Sequence, residues 1–349
     1  MTNEELLGIH EIAVLAKVSR AAVANWRTRY DDFPHPVVEL RSGPVFRRDL
    51  VLAWLRRRKI PMTTVISTIN LKGGVAKTTT TVAVAQMLAA EFRQRVLVVD
   101  LDPQTNATVM LIGDKRWKEL NEDHQTVAQL FQDALKGDQK IFELQKSIQT
   151  RVGNVADVRR VALLPSSLDL IDVQEDLALM NRGRFHAGDP TDVLRRALRS
   201  LLESGEYNFV LIDCPPSLGL VTLNGLRISD YYIIPTIPDF LSTYGVPQIV
   251  RRIAEFSEVI GKTIEPLGIV ATKFRVQSPV HVNQLKLLKQ ETDAPLFKTV
   301  IPENSEIAGA AEYKSVSTLR QKWGYGGQFD IYRALTKEIL ERIDVAVPQ

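Results

Sequence analysis

A glycine turn between an apolar run and a helix-forming stretch constrains this chain more than any other feature. Residues 70–79 read Asn-Leu-Lys-Gly-Gly-Val-Ala-Lys-Thr-Thr, after the apolar run Val65–Ile69 and before the helix-like stretch Thr79–Phe92. A strand, a tight turn and a helix N-terminus in this order form a phosphate-binding loop, because backbone N–H groups of the turn and of the first helical turn point at the anion. The turn therefore predicts a strand–loop–helix unit that binds phosphate.

Two side chains of the loop fit defined roles in phosphate chemistry. Lys77 adds positive charge at the outer phosphates, and the Thr78 hydroxyl can ligate Mg²⁺. The pattern G-x-x-x-x-G-K-[ST] is not met, since Leu71 and Ala76 occupy its two glycine positions. Instead, Lys72 directly precedes a glycine pair. The alternative is a glycine turn with solvated lysines, but strand, turn and helix all agree with the context that a phosphate loop requires.

This variant resembles the deviant Walker A loop of the ParA/MinD family of ATPases. The resemblance implies that the chain binds ATP and Mg²⁺, and that Lys72 reaches across a dimer interface to the partner's nucleotide. It also implies that Lys72 and Lys77 are catalytic and that Thr78 is a metal ligand. The residues implied in nucleotide binding are Lys72, Gly73, Gly74, Val75, Ala76, Lys77, Thr78 and Thr79.

Length and composition indicate a globular protein of more than one domain. The chain has 349 residues, of which 45% are hydrophobic and 24% are charged. Its single cysteine, Cys214, excludes an intramolecular disulfide, which fits a reducing cytoplasm. We see no secretory signal and no apolar stretch of about 18 residues, so we expect no membrane span. We also expect the C-terminal helix, Tyr332–Val345, to dock on the fold rather than on lipid.

The net positive charge of the chain is concentrated in its first sixty residues. They contain eleven Lys or Arg residues against seven Asp or Glu residues, whereas the remainder is close to neutral. This imbalance points to an anionic partner for the N-terminal segment. The sequence pattern predicts helices over residues 9–16, 20–30 and 49–58, and a hairpin formed by residues 37–40 and 44–46.

The order helix, helix, hairpin, helix resembles the winged helix-turn-helix of MerR-like and excisionase-like DNA-binding domains. Pro61 marks the predicted boundary, so we expect a DNA-binding domain over residues 1–60 and an ATPase domain over residues 61–349. The alternative is a small helical adaptor whose arginines are merely solvated. We expect Trp26 to lie in the core. The candidate DNA contacts, on and around the second helix and the hairpin, are Ser19, Arg20, Asn25, Arg27 and Arg41.

From residue 63 onward, apolar runs alternate with helix-like segments. Near-continuous apolar runs are typical of strands buried on both faces, so we expect an α/β fold with a doubly wound, mostly parallel sheet. Ligands of such sheets bind at the carboxyl ends of the strands. The predicted strands are Val65–Ile69, Val96–Val99, Val161–Leu164, Phe209–Ile212, Tyr232–Pro235, Gly268–Thr272 and Lys298–Ile301.

Three carboxylates follow two of these strands. Asp100 and Asp102 are two residues apart in Asp-Leu-Asp-Pro-Gln, and Asp213 ends the apolar run Phe209–Ile212. The segments resemble the Walker A′ and Walker B motifs of the family. The resemblance implies that Asp102 positions the hydrolytic water, that Asp213 binds Mg²⁺ through water, and that Asp100 is structural or supports the metal indirectly. For Asp102 the alternative is a turn carboxylate before proline.

The segment Thr272-Lys273-Phe274-Arg275 bears on the choice of base. Guanine-specific proteins read their base with [NT]-K-x-D, whose carboxylate accepts hydrogen bonds from guanine. Arg275 stands at that position and cannot accept a hydrogen bond, so guanine is disfavoured. The resemblance implies ATP, and it places Pro302 in a loop that packs against the adenine.

The combination of an N-terminal DNA-binding domain with this loop is most similar to the large ParA proteins of plasmid partition. It implies a slow ATPase that forms an ATP-sandwich homodimer and binds DNA non-specifically, with Lys273 and Arg275 among the candidate contacts. A ParB-like adaptor would stimulate hydrolysis, and the N-terminal domain would repress the protein's own operon. We expect it on the nucleoid, in the cytoplasm. Two alternatives stay open: a nucleotide-responsive transcription regulator, and a positioner of another cargo.

Overall fold

The chain divides into two units in the structure, which is a computed structural model. One unit contains residues 1–63 together with Arg199–Asn208, and the other contains Thr64–Leu198 and Phe209–Gln349. The predicted boundary lies near residue 60, and no sequence pattern indicates that residues 199–208 join the first unit. The structure describes residues 6–16, 20–40, 42–57, 63–136, 140–179, 189–290 and 293–343.

The first unit consists of a three-stranded antiparallel sheet and three helices. The strand order is β1-β3-β2, and β2 and β3 form the hairpin. The sequence pattern does not predict β1, because three residues are too few to show an alternation. The elements are β1 (Leu6–Gly8), α1 (Ile9–Ala16), α2 (Arg20–Arg29), β2 (Val38–Leu40), β3 (Gly43–Arg47) and α3 (Arg48–Arg57).

Aromatic side chains fill the core of the first unit. Phe33, Phe46 and Trp54 are buried, and the Phe33 and Trp54 rings meet edge to face with their centroids 4.8 Å apart. Trp26 on α2 lies 5.4 Å from Trp54, measured between ring centroids, which places it at the edge of this core. Large aromatic side chains bury much apolar area each, so a unit of about sixty residues can hold together around them.

The second unit is built on a seven-stranded sheet. The strand order is β10-β9-β4-β8-β5-β7-β6, and all neighbouring pairs are parallel except β7 and β6. Its strands are β4 (Thr64–Thr68), β5 (Val96–Asp100), β6 (Gln149–Thr150), β7 (Val161–Leu164), β8 (Phe209–Asp213), β9 (Tyr231–Thr236) and β10 (Glu265–Ala271).

Helices connect these strands and cover the sheet. A short 3₁₀ helix, Pro190–Asp192, precedes α9. The α-helices are α4 (Lys77–Ala90), α5 (Asn106–Glu122), α6 (Val127–Lys136), α7 (Leu144–Ser147), α8 (Leu170–Leu179), α9 (Val193–Ser204), α10 (Leu220–Ile228), α11 (Phe240–Ile260), α12 (Pro279–Leu288), α13 (Ser305–Gly309), α14 (Leu319–Trp323) and α15 (Gln328–Arg342).

The predicted mostly parallel α/β sheet is confirmed. Every residue of β5 and β8 is buried, as expected for strands covered on both faces. β4 lies between β9 and β8, so the loop that follows it opens at the middle of the carboxyl edge. Ligands bind at this edge in open parallel sheets. The edge strand β6, only two residues long, had no sequence signal.

The predicted strand Lys298–Ile301 is wrong. The backbone N–H groups of Lys298 and Thr299 donate to the carboxylate of Glu338, at 2.8 and 3.1 Å, and are therefore lost to a strand ladder. In the described structure this region forms no strand ladder: isolated bridges at Ile269–Leu296 and Phe274–Pro302, and a hydrogen bond from the Ile301 N–H to the Ala271 carbonyl, link it to β10 and the loop that follows. The side chain of Glu338 on α15 thus accepts hydrogen bonds that a neighbouring strand would otherwise accept.

The last described helix, α15, packs against α4. Its buried face includes Phe329, Tyr332, Leu335 and Ile339. Docking on the protein therefore accounts for the apolar face of this helix, as far as Ile343; residues 344–349 lie outside the described part. Among the helices that the structure describes, none combines the length and the hydropathy needed to cross a bilayer.

Candidate active site

The loop between β4 and α4 turns through two left-handed residues. Gly74 has φ +73° and Ala76 has φ +64°. The left-handed region costs a non-glycine residue about 1–2 kcal/mol, so neighbouring contacts must hold Ala76 there. α4 begins at the next residue, and no described side chain caps its N-terminus. The first N–H groups of the helix are thus left for an anion.

Two buried side chains that the sequence did not single out fix this loop. Asn70 donates from Nδ2 to the Pro235 carbonyl at 2.8 Å, and its Oδ1 accepts from the Lys72 N–H at 2.9 Å. The Thr272 hydroxyl donates to the carbonyl of Val75 at 3.0 Å. These bonds tie the loop to the ends of β9 and β10. An amide directly after a buried strand is the signal that could have identified Asn70.

A cavity of about 550 Å³ opens over the loop. A methyl group added at Gly73 or Gly74 would meet no atom within 4 Å, so the backbone is exposed to an incoming ligand. Val75 is buried behind the wall, and Lys72 does not line it. The predicted residues that do line the cavity are Gly73, Gly74, Ala76, Lys77, Thr78, Thr79, Asp102 and Pro302, joined by Gln104, Asn106, Met110, Lys273, Asn304, Ile307 and Tyr332.

Lys77 places a buried ammonium group in the wall of the cavity. The residue is 6% exposed, and its Nζ donates to the Lys72 carbonyl at 3.0 Å. Burial lowers the pKa of this ammonium, while the negative charges of Asp213 and Asp102 raise it in part. A buried cation with a neutral oxygen as its hydrogen-bond partner gains from a nearby phosphate.

Asp100 and Asp213 face each other at the ends of adjacent strands. They are paired in the register of β5 and β8, and neither is exposed. Burial raises the pKa of Asp100 to about 7, although hydrogen bonds from Thr108 oppose the rise. Burial also raises the pKa of Asp213 well above its ordinary value, and the charge of Asp100 raises it further. Two neighbouring buried carboxylates favour a bound cation or a shared proton.

Asp100 and Asp213 differ in how many of their carboxylate oxygens accept hydrogen bonds. Both oxygens of Asp100 do: Oδ2 accepts from the Thr108 N–H at 2.9 Å and from the Thr108 hydroxyl at 2.7 Å, and Oδ1 accepts from the Asp102 N–H. Asp213 accepts from Thr81 through Oδ1 at 3.3 Å, whereas its buried Oδ2 has no partner in the described structure. Asp100 thus positions the start of α5, and Asp213 keeps an oxygen for a ligand.

The donor set around Asp213 fits magnesium. The Thr78 side chain, which lowers the pKa of this carboxylate in part, and the orphaned Oδ2 atom offer hard oxygen ligands beside the phosphate loop. In the described part of the chain, no three His, Cys, Asp or Glu side chains gather into a metal site. Magnesium keeps water and phosphate oxygens as ligands and needs few protein groups, so this small set is sufficient.

Asp102 lies in the cavity wall on the other side of the loop. Its Oδ1 accepts from the Gln104 N–H at 2.9 Å, and its carbonyl accepts from the Ser166 hydroxyl at 2.8 Å. Burial raises the pKa of Asp102, while the Gln104 amide and the Lys77 ammonium lower it. The residue is 6% exposed and rigidly held, which suits a group that must orient a water molecule.

Lys72 is held outside the cavity, against α11 of its own chain. Its Nζ donates to Asp239 Oδ2 at 2.8 Å and to the Ser242 hydroxyl at 2.9 Å. Asp239 also caps α11, since its Oδ1 accepts from the Ser242 N–H. Partial burial alone would raise the pKa of Asp239, but the Lys72 ammonium and the Ser242 donors hold it below its ordinary value.

Comparison with known proteins agrees with this geometry. A family model described as an AAA domain matches residues 63–265, more than half of the chain. The chain is 27% identical to the sporulation initiation inhibitor protein Soj of Bacillus subtilis, over 79% of this chain and 97% of that protein. It is 29% identical to the chromosome partitioning protein ParA of Myxococcus xanthus, over 78% of this chain and 86% of that protein. This chain belongs to the ParA/MinD family of P-loop ATPases.

Solved structures with the same fold extend beyond partition proteins. Cobyrinic acid a,c-diamide synthase from Mycobacterium smegmatis, with a bound ATP analogue and magnesium, superposes with a TM-score of 0.62 at 27% identity. The similarity covers 82% of this chain and 99% of that one. The family model begins at residue 63, so residues 1–62 fall outside it.

The predicted DNA contacts of this ParA/MinD-family chain have different surroundings in the structure. Lys273 lines the nucleotide cavity, with φ 48°, and Arg275 is paired with the Glu303 carboxylate. On α2, Arg20 donates to His10 Nδ1 at 3.1 Å, and Arg27 is paired with Glu39 at 2.9 Å. Ser19 and Arg41 lie outside the described residues, as does the side chain of Asn25.

Proposed function

We propose that this protein is an ATP-dependent partition ATPase that moves or positions DNA. The observation that carries the proposal is a phosphate loop with two lysines in different surroundings. Lys77 is buried in the wall of the cavity, and Lys72 is held on the surface outside it. One ammonium serves the chain's own nucleotide, and the other is free to serve a second copy once it leaves Asp239.

Within one chain, the roles follow from position. The loop amides and Lys77 bind the phosphates, and Thr78 and Asp213 hold the magnesium ion, which supplies charge stabilisation at the phosphoryl oxygens when bound. Asp102 orients the attacking water. The apolar end of the cavity, with Met110, Ile307 and Pro302, receives the adenine ring. Arg275, engaged with Glu303, offers no acceptor for guanine.

We propose that two copies close over two nucleotides, with each Lys72 neutralising charge on the other's phosphates. Three apolar side chains beside Asp239 support this interface. Phe240, Leu241 and Tyr244 are 67, 73 and 68% exposed at the start of α11. Such a cluster is costly in water and gains from burial against another surface. Buried triphosphates also require cations, because unpaired buried charge is unfavourable.

A partner is needed for fast turnover in this proposal. Among the described residues no arginine lines the cavity, so none of them supplies a guanidinium there to stabilise transition-state charge. Hydrolysis by the protein alone is therefore slow, and a ParB-like adaptor stimulates it. The dimer binds arbitrary DNA on the nucleoid, within the cytoplasm, whereas the N-terminal unit binds an operator and represses the protein's own operon.

The experiment that tests this proposal measures DNA binding against nucleotide state. Full-length protein is titrated onto a long duplex of arbitrary sequence with Mg-ATP, with Mg-ADP and without nucleotide. We expect tight binding with Mg-ATP alone, retained by Asp102→Ala and absent in Lys77→Ala. Equal binding in all three states would contradict the proposal. The same titration with a protein lacking residues 1–60 separates a partition ATPase from a nucleotide-responsive regulator, because only the regulator loses all DNA binding.

A further inference from the structure

Five arginines gather at the amino edge of the sheet, at the opposite end of the strands from the nucleotide cavity. We call them the arginine patch: Arg93, Arg95, Arg151, Arg159 and Arg160. Arg95 precedes β5, and Arg160 precedes β7, the neighbouring strand. At a rise of about 3.3 Å per residue, β5 separates this edge from Asp100 by roughly 16 Å.

Backbone contacts bring the patch together from distant parts of the sequence. The Val96 N–H donates to the Arg160 carbonyl at 2.9 Å, and Arg160 Nη1 donates to the Arg93 carbonyl at 2.6 Å. The Val152 N–H donates to the Val161 carbonyl, which places Arg151 beside the start of β7. All five arginines are exposed.

Most of this positive charge is not neutralised. Among the described residues, Arg93, Arg151 and Arg159 form no ion pair. The two segments 91–95 and 149–160 contain two carboxylates, of which Glu91 is paired with Arg333 at 3.0 Å and Asp157 is exposed. By contrast, Arg275, which the sequence predicts as a DNA contact, is paired with Glu303, and the exposed Arg320 is paired with Asp330.

A cavity beside the patch has the donors of an anion site. It measures about 380 Å³ and is lined by Arg151, Arg159, Tyr313 and Ser315, among others. Guanidinium groups bind phosphate through two parallel N–H donors, and the two hydroxyl groups can donate as well. Segments 91–95 and 149–160 expose no large hydrophobic residue, and the exposed aromatic group of the cavity is the single ring of Tyr313, whereas a folded protein partner would need an apolar centre. The chemistry therefore favours a phosphodiester backbone over a protein surface.

We propose that the arginine patch binds the DNA backbone, with Arg151 and Arg159 as phosphate contacts. This inference rests on the proposed function, and it assigns the non-specific DNA surface to the amino edge rather than to the predicted residues around Lys273. Because phosphate contacts carry no base information, binding at the patch is independent of sequence. Its position far from the cavity leaves ATP hydrolysis unaffected by substitutions there.

The test compares two charge-matched double variants of the full-length protein. Arg151→Ala/Arg159→Ala removes two cations from the patch, and Lys286→Ala/Lys289→Ala removes two exposed cations near the end of α12. Affinity for a fluorescent duplex of arbitrary sequence is measured by anisotropy with Mg-ATP over a range of salt concentrations. We expect the arginine variant to bind at least about tenfold more weakly near 0.1 M salt, and its salt slope to fall by about 2, one for each phosphate contact.

The inference holds if the arginine variant shows weaker DNA affinity and a smaller salt slope while the lysine variant shows neither change. The Arg151→Lys/Arg159→Lys variant should recover the wild-type salt slope, and basal ATP hydrolysis should be unchanged in all variants. The inference is overturned if the arginine variant binds DNA like the wild type, or if both variants lose affinity equally. A wild type that binds no DNA with Mg-ATP would overturn the proposed function itself. If the arginine variant loses binding of a labelled polyglutamate peptide but binds the duplex like the wild type, the patch is assigned to an acidic protein segment instead.

Discussion

Asp102 is the residue on which hydrolysis depends in this account. Its main chain and Oδ1 are fixed by Ser166 and Gln104, so replacing the carboxylate leaves the phosphate loop in place. We expect Asp102→Ala to bind Mg-ATP with an affinity close to wild type and to hydrolyse it at least about 100-fold more slowly. Single-turnover hydrolysis and equilibrium binding check the two parts. Normal turnover in this variant would remove the water-positioning role, whereas Lys77→Ala should lose binding itself.

The buried carboxylates predict how stability depends on pH. The folded pKa of Asp100, about 7, lies above its ordinary value, and that of Asp213 is raised too. The folded state thus holds protons that the unfolded state releases, and this contribution is present at low pH and lost as the pH rises through the folded pKa. Without magnesium, we expect the melting temperature to fall between about pH 5 and pH 8, in the range set by these shifts.

The Asp100→Asn substitution tests how much of this pH dependence of the melting temperature comes from Asp100. The amide does not titrate, so the variant's melting temperature should change less between the two pH values than that of the wild type, whatever its absolute stability. An equal change in both proteins would show that Asp100 does not titrate in this range. Adding magnesium should reduce the pH dependence of the wild type, because the cation replaces the proton beside Asp213.

At the level of elements, β10 depends on one glycine. Gly268 has φ +141°, at the register shift of the strand, and a methyl group there would lie 2.0 Å from the Pro295 carbonyl oxygen. Gly261, with φ +63° after α11, has open space instead. We expect Gly261→Ala to cost about 1–2 kcal/mol and Gly268→Ala a further 1–3 kcal/mol or so, measured by denaturant unfolding. Equal costs would mean that β10 relaxes freely around the clash.

We expect the ion pair between Lys72 of the phosphate loop and Asp239 at the start of α11 to set the protein concentration at which dimers form. Asp239→Asn keeps a capping side chain for α11 but removes the charge that holds Lys72. We expect this variant to form dimers at a lower protein concentration than the wild type in Mg-ATP. Asp330→Asn, which breaks the exposed pair with Arg320, is the control and should not shift the threshold. An Asp239→Asn protein that dimerises less readily would give Asp239 a role in the dimer instead.

Local patterns predicted some elements and missed others for identifiable reasons. Long apolar runs such as Val161–Leu164 match the strands because burial on both faces leaves a continuous signal. Lys298–Ile301 ends in two β-branched apolar residues, but the N–H groups of Lys298 and Thr299 donate to Glu338, which lies far along the chain. Asn70 and Thr272 fix the phosphate loop through single hydrogen bonds between distant segments, which no local pattern records. Likewise, the arginine patch exists only because β5 and β7 are neighbours.

At the scale of the whole molecule, the candidate nucleotide site lies in the second unit and the predicted DNA-binding elements lie in the first. The second contains the loop, the carboxylates and the cavity, and most of the residues matched by the family model, 63–265, lie in it. Sequence motifs predicted these parts because phosphate binding requires fixed residues at fixed spacings. The first unit carries a helical and hairpin arrangement whose interpretation as a DNA reader stays a prediction. Its candidate contacts are partly engaged with neighbours, as Arg27 is with Glu39.

The central claim is that Lys72 acts on the nucleotide of a second copy. Sedimentation velocity of full-length Asp102→Ala, in which ATP persists, tests it most directly, with Lys72→Ala/Asp102→Ala as the comparison. We expect Asp102→Ala to form dimers with Mg-ATP and to remain monomeric with Mg-ADP, whereas the double variant binds ATP and remains monomeric. Dimers of both proteins with Mg-ATP, or monomers of Asp102→Ala at saturating Mg-ATP, would contradict it.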